Sequence, residues 1–297
     1  MTISTSLWYN RATTAMQTLS AKTDTLSTQI STGKKLQQAS DDSTAYSQLR
    51  TLAVANADGT AYTKNLGTAA SVLSSADTAL TSFGEQLTRA KELALQANNG
   101  TLTDQDRAPI AEELLGIVQS LASLGNTTDP RGLPLFGDSN GTAGVTQAAD
   151  GSYSFASGGV SAIPIGDGQS VQPSTSASRI FQVNGTNILQ AITDLATALQ
   201  AGGDIGDAGT KGIADIQTAS DQVNTVQASL GARASRVELE QSVQSNAATQ
   251  REVDRSGLED TDVTAAITEL QKTMTILSAT QASFTKLQSL SLFDYLK

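Results

Sequence analysis

An unbroken run of small and apolar residues, spaced alternately three and four positions apart, occupies the first third of the chain. Its members are Leu52, Ala55, Gly59, Tyr62, Leu66, Ala69, Leu73, Ala76, Leu80, Phe83, Leu87, Ala90, Ala94 and Ala97. This spacing places every member on one face of an α-helix. A pattern so long is typical of an extended helical rod rather than of a helix in a globular core.

Both ends of the chain carry heptad stripes of the same kind. The first predicted stripe consists of Tyr9, Ala12, Met16, Leu19, Thr23, Leu26 and Ile30. The last consists of Val263, Ile267, Leu270, Met274 and Leu277, followed by Phe284, Leu287 and Leu290. Because an apolar stripe must be buried against another, we expect the chain to fold back and pair its terminal helices. We also expect this pair to be largely disordered in the free monomer and to fold when neighbouring chains cover it.

The other helical patterns are shorter or less regular. A third helix is predicted after Thr103, which forms a capping-box pattern with Asp106. A short amphipathic helix is predicted over residues 187–200, and a loop over 202–212. A long helix is then predicted from about Ile213, with a break at Ser256-Gly257, before the last helix.

The segment from about residue 126 to residue 185 has a different texture. Helical spacing disappears, Gly, Ser and Pro become more frequent, and short alternating runs appear around Tyr153 and Ile163. Asn-Gly and Asp-Gly pairs supply turn signals between these runs. The segment is therefore predicted to be a small β-rich insert.

The predicted fold is mainly α: an elongated, antiparallel helical rod with paired N- and C-terminal coiled-coil helices and a small central β-rich insert. We divide it into three domains. Residues 1–40 with 258–297 form a terminal coiled-coil domain, residues 41–130 with 205–257 form a helical rod domain, and residues 131–204 form the β-rich outer domain.

The amino-acid composition excludes several common kinds of catalytic and metal-binding site. The 297 residues include neither histidine nor cysteine, which removes Cys/His zinc sites, Ser–His–Asp triads and disulfides. A net charge of −10 leaves no basic footprint for nucleic acid or an anionic membrane. No apolar segment is long enough to span a bilayer. We therefore predict no enzyme, no catalytic residue, no metal and no cofactor. The N-terminus lacks a Sec-type signal peptide, so any export is expected to use another route.

Several short motifs resemble chemical sites but are better explained by helix ends. Thr32-Gly33-Lys34 lacks the first glycine of a phosphate loop. Asp260 and Asp262 lack the glycine and distal glutamate of a calcium loop and are expected to cap the last helix. The adjacent carboxylates Asp41-Asp42 cannot face each other across a substrate, so we predict a capping role for them.

These residues carry a resemblance to a known family. The opening Ile3-Ser-Thr, the stretch Ile30-Ser-Thr-Gly-Lys-Lys-Leu and the following Ser40-Asp-Asp resemble the N-terminal signature of the flagellin superfamily. The stretch from Ala90 to Arg107, continued by Ile110-Ala-Glu-Glu-Leu, is similar to the rod domain of that superfamily. The resemblance covers about residues 1–137 and 180–297.

Within the superfamily, four details resemble the hook–filament junction proteins more than flagellins. They are Ser31-Thr-Gly-Lys, the stretch from Asn126 to the Leu-Phe-Gly at 135–137, Val183-Asn-Gly-Thr-Asn-Ile-Leu, and the ending Leu292-Phe-Asp-Tyr-Leu. Ser43 and Pro134 depart from the family pattern. Flagellin itself, the filament subunit, remains an alternative, and an enzyme or unrelated secreted coiled-coil protein is the more distant one.

The resemblance implies an extracellular structural protein of the bacterial flagellum, located at the hook–filament junction. It implies a flagellin-like fold whose terminal helices form the inner tube, and self-assembly into a helix or ring. The implied partners are a neighbouring hook-associated junction protein, flagellin, the flagellar type III export apparatus and an export chaperone, with no nucleic acid and no membrane. The predicted assembly interface comprises Ile3, Leu7, Trp8, Met16, Leu19, Leu26, Ile30, Val263, Ile267, Leu270, Met274, Leu277, Phe284, Leu287 and Leu290.

Overall fold

The computed structural model describes residues 2–295, with side chains described for residues 6–286. The helices are α1 (Thr2–Thr32), α2 (Ser43–Ala97), α3 (Asp104–Gly125), α4 (Ala177–Phe181), α5 (Ile188–Ala201), α6 (Gly206–Glu259) and α7 (Val263–Tyr295). The strands are β1 (Val145–Gln147), β2 (Tyr153–Phe155), β3 (Ile163–Gly166), β4 (Gln169–Val171), β5 (Gln182–Val183) and β6 (Thr186–Asn187). The mainly α fold with long terminal helices and a small strand-containing centre is confirmed. No helix in the described part of the chain is long and apolar enough to cross a membrane.

The chain forms two compact units. The terminal unit consists of Met1–Ala57 and Ala247–Lys297, and the central unit consists of Asp58–Asn246. Helices α2 and α6 each contribute residues to both units. The finer division into three domains stays a prediction.

The core of the central unit is built on the predicted stripe of α2. Every stripe position from Leu66 to Ala97 is buried, as is Gly59. Helix α3 packs along α5, and Phe83 of α2 meets Phe136 and Phe181 edge-on, with ring centroids 6.0 Å and 5.1 Å apart. The heptad pattern therefore identified the buried face of α2 correctly.

Local signals set the helix ends and turns of the central unit. The capping box is present: the Thr103 side chain accepts from the backbone N–H of Asp106, and the Asp106 side chain accepts from that of Thr103. The strands form three antiparallel hairpins, β1–β2, β3–β4 and β5–β6. In the last hairpin Asn184 and Gly185 adopt φ values of 51° and 82°, which is the left-handed backbone that an Asn-Gly turn favours.

The predicted loop over residues 202–212 is wrong, because α6 already begins at Gly206. The glycines here allow close packing rather than a loop. A Cβ on Gly209 would lie 2.4 Å from Asn98 Oδ1, and one on Gly212 would lie 2.8 Å from Leu195 Cδ2. Only glycine lets the first turns of α6 approach the end of α2 and α5 so closely.

The predicted break at Ser256-Gly257 is also wrong, because α6 continues to Glu259. Gly257 faces open space, where a single helical glycine costs only about 1 kcal/mol relative to alanine. Arg255 bridges the same turn by pairing with Glu259, four residues later, at 2.5 Å.

Candidate assembly interface

Helices α1 and α7 pack along each other in the terminal unit. The pair is antiparallel: Trp8 stacks on Phe284 with centroids 5.8 Å apart, whereas Lys22 Nζ lies 2.5 Å from Glu269 Oε1. The pairing of the two ends of the chain is thus as predicted from their stripes.

The seam between the two helices is only half-buried. On α1 the half-buried positions include Ala12, Met16, Leu19, Thr23, Leu26 and Ile30. On α7 the seam consists of Ala266, Leu270, Thr273, Leu277, Thr280 and Phe284. Among the described side chains of the terminal unit, only Ala266 and Thr273 are buried, at 7% and 2% exposure. One neighbouring helix therefore covers these stripes incompletely.

Threonine hydroxyls on these helices bond back to their own backbone. Thr23 Oγ1 donates to the Leu19 carbonyl at 2.9 Å, and Thr280 Oγ1 donates to the Ile276 carbonyl at 2.7 Å. Their polar atoms are thereby satisfied within the helix. Threonines can therefore occupy half-buried positions on these helices without leaving an unsatisfied hydroxyl group.

The links between the helices fix the register of the terminal pair. The Lys35 N–H donates to the Glu259 carbonyl at 2.7 Å, and the Thr261 N–H donates to the Gly33 carbonyl at 2.8 Å. Gly33 ends α1 at φ 72°, as expected of a helix-ending glycine. These two backbone bonds join the α1–α2 link to the α6–α7 link.

Charged side chains reinforce this connection. Lys34 Nζ and Glu259 Oε1 form an ion pair. The hydrogen bond from Lys34, and to a smaller extent the one from Arg255, holds the pKa of Glu259 below its ordinary value. Lys22 lowers the pKa of Glu269 in the same way. Both carboxylates are therefore stabilised in their charged form.

Of the four aspartates predicted to cap helices, two do so. Asp42 Oδ1 accepts from the N–H groups of Thr44 and Ala45 at the start of α2, and Asp262 Oδ1 accepts from that of Ala265 at the start of α7. Asp260 does not cap α7, and its side chain instead accepts from the Ser256 hydroxyl at 2.5 Å. Asp41 Oδ2 accepts from the N–H groups of Gln37 and Gln38, which lowers the pKa of Asp41. The described residues hold no group of three or more acidic side chains able to bind a metal.

The predicted interface residues separate into three groups. In the seam are Met16, Leu19, Leu26, Ile30, Leu270, Leu277 and Phe284. Exposed are Leu7, Trp8, Val263, Ile267 and Met274. Ile3, Leu287 and Leu290 lie outside the residues whose side chains are described. The structure thus brings seven of the fifteen into one seam and leaves five exposed, of which Trp8 also stacks on Phe284.

The predicted stripe of α7 needs a correction. Val263, Ile267 and Met274 do not face α1, because Ala266 and Thr273 take their places in the seam. The small residues allow closer helix approach, and the larger apolar residues lie beside the seam. The alternative heptad Ala266–Leu270–Thr273–Leu277 is also present in the sequence. The larger apolar side chains of Val263, Ile267 and Met274 favoured the other stripe in the sequence-based prediction.

Exposed apolar surface is concentrated in the terminal unit. It contains nine of the thirteen exposed large hydrophobic side chains found among the described residues. They include Tyr9, which belongs to the predicted stripe of α1, and Ile276, which was not among the predicted interface residues. This concentration of exposed apolar side chains favours the terminal unit as the site of association with other chains.

Charge is divided unequally between the units. The terminal unit contains ten cationic and ten acidic residues, whereas the central unit contains nine cationic and nineteen acidic ones. The net charge of −10 therefore belongs wholly to the central unit. Contacts between terminal units avoid the repulsion that contacts between central units would meet.

Comparisons with known proteins agree with this fold. The family model described as the bacterial flagellin N-terminal helical region matches residues 3–141, and that of the bacterial flagellin C-terminal helical region matches residues 213–296. The solved structure of flagellar hook-associated protein-3 from Legionella pneumophila superposes with a TM-score of 0.63 at 14% identity, covering 70% of this chain and 98% of that one.

Two curated relatives differ in how much of the chain they match. Flagellar hook-associated protein 3 of Escherichia coli (strain K12) is 29% identical over 328 residues, and the alignment covers 100% of both proteins. A flagellin of Listeria monocytogenes is 23% identical over 253 residues, covering 82% of this chain and 80% of that protein. The two family models together match most of this chain, at residues 3–141 and 213–296. The chain therefore belongs to the bacterial flagellin family.

Proposed function

We propose that this chain is a structural subunit of the junction between hook and filament in the bacterial flagellum. It assembles with further copies of itself into a helix or ring through its terminal helices. The family is one of structural flagellar proteins, and the proposal assigns no catalytic activity to the chain.

One observation carries the proposal: among the described side chains of α1 and α7, only Ala266 and Thr273 are buried, and the rest of the seam is half-exposed. Full burial of an exposed Leu, Ile or Met side chain contributes roughly 1.5–3 kcal/mol. Covering Leu7, Ile267 and Met274 with neighbouring copies would therefore stabilise an assembly substantially. The absence of net charge on the terminal unit removes the main electrostatic obstacle to such packing.

The partners follow from a junction role. A hook-associated junction protein would contact the assembly on the hook side, and flagellin would contact it on the filament side. The location would be outside the cell. Export would use the flagellar type III apparatus, with a chaperone covering the apolar terminal helices before assembly.

The second candidate function is that of flagellin, the filament subunit. The match to a flagellin over about four fifths of the chain favours it, since both protein types share the helical regions. The full-length match to hook-associated protein 3 at higher identity supports the junction role more strongly.

Polymerisation distinguishes the two candidates. Purified chain is incubated under salting-out conditions, either alone or with isolated hooks that already carry the preceding junction protein, and electron microscopy follows growth. A junction protein adds to the hook ends and does not elongate alone. Long self-propagating filaments in the unseeded sample would instead identify a flagellin, and a stable monomer in both samples would contradict both functions.

A further inference from the structure

A groove in the terminal unit lies between the first turns of α2 and the last turns of α6. Its volume is about 410 Å³. Its apolar lining includes Leu36, Tyr46, Leu49, Leu52 and Ala53. The terminal unit thus carries a concave apolar site in addition to the stripes of α1 and α7.

Two arginines on this groove lack acidic partners. Arg50 and Arg251 both line it, and neither forms an ion pair with any described residue. The Nε of Arg251 is buried without a hydrogen-bond acceptor. A buried guanidinium N–H without an acceptor carries a desolvation cost that an added carboxylate would remove.

The third arginine of the groove is already neutralised. Arg255 contacts Glu252 at 2.8 Å and Glu259 at 2.5 Å. The acidic residues of the groove are thereby committed to Arg255, and Glu259 also pairs with Lys34. The groove is therefore complementary to an apolar surface that brings carboxylates for Arg50 and Arg251.

The central unit presents a surface with these properties on α6. Leu239, at 66%, is the most exposed large hydrophobic side chain among the described residues, and Val243 lies one turn further on the same face at 48%. Glu238 and Glu240 flank Leu239. Neither forms an ion pair with a described residue, and Glu240 accepts a hydrogen bond from the side-chain amide of Gln244 at 2.9 Å.

The other exposed leucines of the central unit have neighbouring carboxylates that are already used. Asp129, near Leu133, is paired with Arg131 at 2.6 Å. Glu92, near Leu95, is paired with Arg89 at 3.3 Å. Charge complementarity therefore favours the Leu239 face.

We propose that the groove of one copy receives the Leu239 face of a second copy, with Leu239 on the apolar lining and Glu238 and Glu240 at Arg50 and Arg251. This inference rests on the proposed self-assembly and names one of its contacts. The two surfaces differ, so the contact is head-to-tail and generates an open helix or a closed ring.

Disulfide trapping tests the contact on a background without native cysteine. An Ala53→Cys chain is mixed with a Leu239→Cys chain under assembly conditions and mild oxidation, and dimers are quantified on non-reducing gels. The Ala53→Cys chain mixed with Leu133→Cys is the matched control. We expect at least about tenfold more mixed dimer with Leu239→Cys than with the control. Equal trapping, preferential trapping of Leu133→Cys, or mainly Ala53→Cys homodimer would each overturn the contact.

A charge swap provides a second test. Arg50→Glu with Arg251→Glu is expected to raise the concentration for half-assembly by on the order of tenfold, as is Glu238→Arg with Glu240→Arg. In a chain carrying all four changes, the concentration for half-assembly should lie within about threefold of that of the unmodified chain. Far-ultraviolet circular dichroism checks that each variant is folded. Assembly of both charge-reversed chains at the unmodified concentration, or no recovery in the fourfold variant, would contradict the proposal.

The experiments distinguish a failure of the proposed contact from a failure of the proposed function. Normal addition to hook ends without selective Ala53–Leu239 trapping would overturn the contact alone. Selective trapping in a chain that never adds to hook ends would overturn the junction role alone.

Discussion

The terminal and central units are built from the same kind of heptad stripe, yet they bury it to different degrees. In the central unit, Leu66, Ala76 and Leu80 of α2 are completely buried, and α3, α5, α6 and the strand-containing segment with α4 supply the rest of the core. In the terminal unit the stripe of α1 is half-exposed against its one partner, α7. A heptad pattern thus specifies a helix and a face, but not the number of neighbours. The apolar side chains of the terminal stripes that stay exposed in one copy are those that an assembly can bury.

The largest expected effect is a difference in how much the two units lose in free energy of unfolding when a leucine is truncated. We expect Leu80→Ala to lower the free energy of unfolding by about 2–5 kcal/mol, because it opens a cavity in a closed core. Leu19→Ala, on the half-exposed stripe, should lower it by less than about 1.5 kcal/mol in the free chain, because solvent already reaches that site. Denaturant unfolding followed by circular dichroism measures both. Equal losses would mean that the terminal pair is as closely packed as the central unit.

A glycine pair tests how closely α6 approaches its neighbours in the central unit. Gly212→Ala should destabilise by about 1–3 kcal/mol, since the new Cβ would lie 2.8 Å from Leu195 Cδ2. Gly231→Ala, on the same helix with nothing within 4 Å of the new Cβ, should stabilise by about 0.4–1 kcal/mol. Thermal unfolding of the two variants checks the difference. A stabilising Gly212→Ala would contradict the proposed packing reason for helical glycine at this position.

A charge in the terminal seam should affect assembly more than folding. Leu270→Asp places a carboxylate in the half-buried seam, and we expect incorporation at hook ends to fall by at least about tenfold. Unfolding of the central unit should be unchanged. Leu133→Asp, an equivalent change at an exposed leucine of the central unit, is the control. Normal incorporation of Leu270→Asp would exclude the seam from assembly.

The smallest effect concerns pH. The pKa values of Glu259 and Glu269 are lowered by hydrogen bonds from Lys34 and Lys22. A lowered folded-state pKa contributes stability that is present above the ordinary value of 4.5 and is lost as pH falls through the folded value. We therefore expect acidification below about pH 4.5 to lower the amide protection factors of α1 and α7, which compare the observed exchange rate with the intrinsic rate at each pH. Glu269→Gln should weaken this pH dependence, and an unchanged profile would show that the Lys22 pair does not contribute.

Sequence reasoning identified the features that depend on local spacing. The buried face of α2, the Thr103–Asp106 capping box and the pairing of the terminal helices were all readable, because each depends on residues within a few turns or on a repeated period. The start of α6 was not readable. Gly209 and Gly212 resemble loop residues until the neighbouring Asn98 and Leu195 are known.

The finer features of the candidate interface depend on contacts distant in sequence. The register of α7 was misassigned because Val263 and Met274 are larger than Ala266 and Thr273, and only the neighbouring helix reveals that the smaller residues face it. The groove beside Arg251 was invisible to sequence reasoning for the same reason, since its walls come from the beginning of α2 and the end of α6.

The central claim is that neighbouring copies complete the burial of the terminal helices. Hydrogen exchange measured by mass spectrometry on the free and the assembled chain tests it most directly. The account predicts weak protection of α1 and α7 in the free chain and strong protection after assembly, with the α2 segment from Leu66 to Ala97 protected in both states. Equal protection of α1 and α7 before and after assembly would contradict it.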